Sequence, residues 1–248
     1  SDNFLIEARE ISNKYSIPLI FDEIYTGFFK TGPLFNFMRT SIVPDIVVYS
    51  KSFGGGKSSI SGYTTTKALF NSSYGNTNDA LMHSTTYNAF GEETLTAIVA
   101  IEVALEEEFE KKSKNLQKLL ETGFKKLSEK YKFFHSFSGM GALYGLEFDL
   151  PEVYKQLEKI FQNLDKKFFK KLYVGALIDH LHSEHNILTY FTDNKKVCLA
   201  ISPSLVTSEK DIDYLFDSLD KTFDKNQFSL VNKFIKNVGI ENLKLIFK

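Results

Sequence analysis

Two short apolar runs, each ending in a charged residue, constrain the fold of this chain more than any other feature. Ile17-Pro18-Leu19-Ile20-Phe21 runs into Asp22-Glu23, and Ile46-Val47-Val48-Tyr49-Ser50 runs into Lys51, with Gly54-Gly55-Gly56 just beyond. Apolar runs of this length, rich in β-branched and aromatic residues and bounded by Gly, Pro or Asp, predict buried strands. Burial on both faces suits a parallel sheet. Lys30-Thr31-Gly32-Pro33 marks a turn between them, and the intervening stretch of about 24 residues is long enough for a parallel crossover. Ligands of open α/β sheets bind outside the carboxyl ends of the strands. Asp22 and Lys51 therefore fall where such a sheet does its chemistry. An acid and an amine at neighbouring strand ends suit a salt bridge, a metal site with an unusual ligand, or a cofactor site.

The flanking residues favour the cofactor. Phe21-Asp22-Glu23-Ile24-Tyr25-Thr26-Gly27-Phe28-Phe29-Lys30-Thr31-Gly32 resembles the D-E-V-Q-T-G-F-G-R-T-G signature of class III pyridoxal-phosphate aminotransferases. Pro44-Asp45-Ile46-Val47-Val48-Tyr49-Ser50-Lys51-Ser52-Phe53-Gly54-Gly55-Gly56 is similar to the P-D-I-V-x-x-S-K-x-x-G-G-G segment of the same family. Both matches are long, in order and at the family's spacing. The resemblance covers residues 4–223 and implies fold type I, an α/β architecture. Residues 1–112 then form part of the large, mostly parallel-sheet domain, residues 113–223 the small α+β carboxy-terminal domain, and residues 224–248 an extension. Because class III enzymes are longer than this chain, the expectation is a carboxy-terminal portion.

Pyridoxal 5'-phosphate serves as an electron sink for a carbanion formed on the substrate. A carboxylate beside the ring nitrogen favours its protonated form, and the resemblance gives this role to Asp22. Taken alone, an Asp after a strand is a turn or N-cap residue. Lys51 is the match for the lysine that holds the cofactor aldehyde as an imine; burial would lower its pKa and make it nucleophilic. Once displaced by substrate, the same amine moves a proton between substrate and cofactor carbons. Ile24 lies two residues past Asp22 and shares its face if the strand continues, where the family packs an apolar residue on the ring. Tyr25 replaces a Gln that touches the ring hydroxyl, and its own hydroxyl is a related donor. Gly54 to Gly56 would let backbone approach the cofactor.

His83-Ser84-Thr85-Thr86-Tyr87 resembles the family's H-G-S-T-F stretch. This implies that Thr86, with Thr85 beside it, binds the cofactor phosphate across a homodimer interface; hydroxyls suit a phosphate dianion. Asn88-Ala89-Phe90-Gly91 departs from the usual G-G-N-P, and Ser138 stands where an Arg is common. Val197 to Leu205 resembles V-I-R-x-x-P-P-L, but Ala200 takes the place of the Arg that holds the substrate α-carboxylate, and Ser204 replaces the second Pro. The implied reaction is transamination between small-molecule amine and keto or aldehyde substrates. An aminomutase, a decarboxylase, or a silent relative acting by binding are the alternatives.

The rest of the chain is read from pattern. A helix is expected over 4–15, with Asp2 or Asn3 as its cap, and a strand over 58–66. One helix or two in tandem should fill 92–131, with Glu106-Glu107-Glu108 on a solvated face. One helix should run from Pro151 to Leu172, carrying Leu157, Ile160, Phe161, Leu164 and Phe168 on one side. The last helix of the family, from Ser208, should open with a Ser208/Asp211 capping box. Residues 224–248 read as a polar linker and a short amphipathic piece. His180, His182 and His185 lack the spacing of a metal motif and read as helix surface, so no metal is expected. A net charge of −1 gives no footprint for nucleic acid or an anionic membrane. The single cysteine, Cys198, fits a reducing, cytoplasmic setting.

Overall fold

The computed structural model describes residues 2–79, 82–161, 165–193, 196–240 and 242–243. The chain forms two compact units, residues 1–114 and 115–248. Among the described residues, no helix is long and apolar enough to cross a membrane.

The first unit contains α1 (Asp2–Tyr15), β1 (Ile20–Asp22), β2 (Ile46–Tyr49), β3 (Gly62–Thr65), α2 (Lys67–Tyr74) and α3 (Gly91–Glu106). Its sheet has the order β1-β2-β3. β1 and β2 are parallel, with Ile20 opposite Ile46 and Asp22 opposite Val48; β2 and β3 are antiparallel. Asp45 fixes the entry to β2. Its carboxylate accepts from the Leu19 N–H at 2.8 Å and from Arg9 at 2.9 Å, and those contacts, the Leu19 amide first, hold its pKa below the ordinary range.

Two expectations change here. The strands are not buried on both faces: Val47 is buried but Ile20 is 55% exposed. Among the described residues no helix packs extensively on β1 or β2, so their faces stay largely uncovered. Asp2 and Asn3 lie inside α1 rather than capping it, and the Asp2 carboxylate instead accepts from Arg39.

The second unit is built on a four-stranded antiparallel sheet in the order β4-β5-β7-β6: β4 (Phe134–Met140), β5 (Leu143–Phe148), β6 (Tyr190–Asp193) and β7 (Val197–Ile201). The part of α4 (Phe109–Lys130) from residue 115 onward accompanies it, as do α5 (Pro151–Glu158), α6 (Lys166–His185), α7 (Glu209–Phe223) and α8 (Gln227–Val238). Leu120 and Phe124 of α4, Leu172 and Leu177 of α6, Leu219 of α7 and Val231 of α8 share one core with Leu146 and Leu199 of the sheet. The Ser208/Asp211 capping box is present.

The helix expected over 151–172 is two helices. Asp165 accepts from the Phe168 N–H at 2.8 Å and starts α6 afresh, because a carboxylate at an N-cap competes with helix continuation. Leu164 lies outside the described residues. The acidic run at 106–108 is a junction, not a helix face: Glu106 ends α3 and Glu108 has φ +53°. His180 is buried rather than on the surface, because α6 is covered by α8 along that side. Residues 227–238 form a helix whose Leu230, Val231, Phe234 and Ile235 are buried, capped by Asn226 accepting from the Ser229 N–H at 2.9 Å.

Candidate active site

β1 and β2 run parallel and side by side, so their carboxyl ends lie together. Asp22 is the last residue of β1, and Lys51 follows β2 by two positions at the start of a 3-10 turn, Lys51–Gly54. The Glu23 N–H donates to the Val48 carbonyl at 2.8 Å, carrying the ladder one residue past β1. Ser50 donates to the Ile60 carbonyl at 3.0 Å and fixes the strand end just before Lys51.

Lys51 adopts φ +49°, a left-handed conformation uncommon for a residue with a Cβ. It is exposed, contrary to the expected burial, because the turn carries it off the sheet. Its ammonium lies 4.0 Å from the centroid of the Tyr25 ring, a cation–π distance. The face of Tyr25, rather than its hydroxyl, is what meets the lysine.

Asp22 is exposed as well. One carboxylate oxygen accepts from the Ile24 N–H at 2.9 Å, an Asx-type turn. Strand alternation therefore ends at Asp22 and does not carry to Ile24, which lies in the turn and is half-buried. Thr85 and Thr86 sit in an exposed turn ahead of α3, where the Asn88 N–H donates to the Thr85 carbonyl at 3.1 Å. No contact among the described residues joins them to Asp22 or Lys51.

Gly55 in the glycine run is also required by packing. α3 lies against the Lys51–Gly54 turn, and a Cβ on Gly55 would fall 2.7 Å from Ala100 Cβ, at φ +59°. Gly55→Ala is therefore expected to lower stability by about 1–3 kcal/mol through overpacking and backbone strain, read as a lower thermal midpoint. An unchanged midpoint would show that α3 does not press on this turn.

Several supporting residues went unrecognised in the sequence. Glu23 is 3% exposed; it accepts from the Phe37 N–H at 2.9 Å and from the Thr26 hydroxyl, clamping the loop between β1 and β2. Phe28 stacks on Phe53 at 4.9 Å and meets Tyr49 edge-on at 5.8 Å. Phe28 and Phe29 both have positive φ, and Phe29 stands where the family signature has Gly. Burial of both rings offsets that strain. The density of Phe between 28 and 53 and the Glu-x-x-Thr spacing were the available signals.

Lys30, next in this loop, is pushed down to about 8 by burial. Between that value and its ordinary 10.5 the unfolded chain binds the proton and the native chain does not, so stability rises with pH across this window. Relative to Lys30→Met, the native chain should gain stability from pH 8 to 10.5, by no more than about 3 kcal/mol. Parallel pH profiles in denaturant titrations would contradict this.

The constellation fits an aldehyde-bearing cofactor. It offers an accessible primary amine, an aromatic face beside it, and a carboxylate at the adjacent strand end with no bonded partner on its second oxygen among the described residues.

Residues 1–223 match the sequence profile of the aminotransferase class-III family. An uncharacterised aminotransferase of Schizosaccharomyces pombe is 25% identical over 212 residues, which is 85% of this chain and 42% of that protein. The acetylornithine aminotransferase of Shewanella oneidensis is 34% identical over 142 residues, 57% of this chain and 34% of that one. A solved (S)-enantioselective omega-transaminase from Thermomicrobium roseum superimposes with a TM-score of 0.76 at 20% identity, covering 90% of this chain and 47% of that one. The chain thus spans less than half the length of these relatives, and its fold is that of the fold type I transaminases.

Proposed function

This chain belongs to the class-III aminotransferase family, whose cofactor is pyridoxal 5'-phosphate, and we propose that it supplies the lysine-bearing part of a transamination site. The observation that carries the reading is Lys51, held exposed in a strained backbone conformation beside the end of the strand that bears Asp22. When bound, the cofactor supplies an electron sink for the substrate carbanion.

Lys51 Nζ would hold the cofactor's aldehyde carbon covalently, and after release would move the proton at the substrate carbon. The Asp22 carboxylate would keep the ring nitrogen protonated. Ile24 and Tyr25 would flank the ring, and Thr85 and Thr86 would take the phosphate, Thr86 from the second subunit of a homodimer. In this reading residues 1–112 belong to the cofactor domain, residues 113–223 form the small domain and residues 224–248 extend it. The amino group passes from a small-molecule amine or amino acid to a keto or aldehyde acceptor, and the single cysteine supports a cytoplasmic setting.

Within the second unit, Ala200 on β7 is 4% exposed. It lines a largely apolar cavity of about 270 Å³ together with Ile187, Tyr190, Ile201 and Leu215. An apolar wall with no guanidinium offers no bidentate partner for an α-carboxylate. We therefore read the preferred donor as an amine without an α-carboxylate at this position. A donor screen on the holoenzyme tests the reading: Ala200→Arg should raise turnover of α-amino acids about tenfold or more, the worth of one charge-assisted pair. Efficient α-amino-acid turnover by the unmodified enzyme would overturn it. Loss of that Arg also favours a second reading, a silent relative that acts by binding, for which no donor would be turned over at all.

A further inference from the structure

Tyr25 stands where the family signature has Gln, and its ring is the partner of the Lys51 ammonium, with the centroid 4.0 Å from Nζ. Among the described residues Lys51 makes no ion pair, and the Tyr25 hydroxyl makes no hydrogen bond. A Gln has no ring face to offer, so this contact is a property of this chain's own sequence.

The contact is set by two fixed backbones. The turn that carries Tyr25 is closed at three points. The Ile24 N–H donates to the Asp22 carboxylate at 2.9 Å, the Gly27 N–H donates to the Glu23 carbonyl at 2.9 Å, and the Thr26 hydroxyl donates to the Glu23 carboxylate. A Cβ on Gly27 would stand 2.9 Å from that same Glu23 carbonyl oxygen, so only glycine lets the turn close this far. Opposite it, the Phe53 N–H donates to the Ser50 carbonyl at 3.0 Å and the Ser50 hydroxyl to the Ile60 carbonyl at 3.0 Å, which fixes the base of Lys51. Tyr25 is 50% exposed, so burial does not dictate where its ring lies. The carboxylates of the turn are engaged elsewhere: both Glu23 oxygens accept bonds, from the Phe37 N–H and the Thr26 hydroxyl, and one Asp22 oxygen accepts from Ile24.

We propose that Tyr25 is a positioning residue that holds the resting Lys51 amine in its charged, unreactive form. An aromatic face attracts an ammonium through the ring quadrupole and has no such hold on a neutral amine. The neutral amine is the nucleophile. Lys51 Nζ must therefore give up a proton to water and leave the Tyr25 face before it can bond an aldehyde carbon. An aldehyde arriving from solution meets a latched amine, whereas one already held beside the strand ends has the proximity needed to draw it off. The inference deepens the transamination reading of Lys51 and rests on it.

The test is reductive methylation of the full-length protein without cofactor, using formaldehyde and cyanoborohydride at pH 7, with the rate at each lysine followed by peptide mass mapping. In this reaction Nζ loses a proton, bonds the formaldehyde carbon with loss of water, and receives a hydride on that carbon from cyanoborohydride. Tyr25→Leu should speed labelling of Lys51 about two- to fivefold, the worth of an exposed cation–π contact. Tyr25→Phe, which keeps the ring, should match the unmodified protein, and labelling of the exposed Lys57 should be the same in all three. The ratio of Tyr25→Leu to unmodified rates should shrink toward one as the pH rises through the ordinary lysine range, about 10–11, because a neutral amine has no latch to lose. Equal Lys51 rates in Tyr25→Leu and the unmodified protein would overturn the proposal. So would Tyr25→Phe behaving like Tyr25→Leu, or a ratio that persists at high pH, which would make the ring a steric shield. A cofactor adduct on Lys51 with no effect of Tyr25→Leu would sink this inference and leave the transamination reading standing; a ring effect with no adduct would do the reverse.

Discussion

Lys51→Ala in the holoenzyme is expected to lower the rate of transamination by about four orders of magnitude, the upper end of what a positioned proton-transfer group contributes. The amine at this position is asked to do two things: hold the cofactor and move a proton. Lys51→Arg should fail equally, because a guanidinium stays protonated and is a poor nucleophile. The loss should not come from unfolding. Lys51 is exposed and makes its one described ring contact with Tyr25, so stability should stay within about 0.5 kcal/mol, as for other surface substitutions. Steady-state kinetics with thermal melts on the same samples would separate the two. Retained turnover in Lys51→Ala would contradict the assignment.

Ending the chain after Phe223 is expected to unfold the second unit. α8 buries Leu230, Val231, Phe234 and Ile235. At about 1.5–3 kcal/mol for each such side chain, their removal forfeits roughly 6–12 kcal/mol of burial. The ordering entropy of the helix offsets a part of this. Tyr173, fully buried, would also lose the Gln227 acceptor of its hydroxyl, at about 1–3 kcal/mol for an unpaired buried group. A domain is stable by only about 5–15 kcal/mol, so the remainder should melt without a cooperative transition. A sharp melt at the unmodified midpoint would show that α8 is dispensable.

The legible parts of the molecule are those where local chemistry decides. The two strand ends were set by apolar runs that stop at charged residues, and the Ser208/Asp211 cap by short-range hydrogen bonding. The α6 start was missed because Asp165 overrides a continuous apolar periodicity from Pro151 onward. β4 and β6 went unread; each is one arm of an antiparallel pair, with β5 and β7 respectively. α8 read only as a short amphipathic piece because its burial depends on α6, a contact distant in sequence. At the candidate site, Asp22 and Lys51 were visible as residues. The clamp by Glu23 and the stacking of Phe28 on Phe53 were not, because they depend on a loop conformation with two consecutive left-handed residues. Within the glycine run, the room that Gly55 makes for Ala100 was not legible either, because it depends on where α3 packs.

The central claim is that Lys51 is the lysine that carries the cofactor. Borohydride reduction of the full-length protein in the presence of pyridoxal 5'-phosphate, followed by peptide mass mapping, tests it directly. The account predicts a single stable cofactor adduct on the peptide containing Lys51. An adduct confined to another lysine, or none under saturating cofactor, would contradict it.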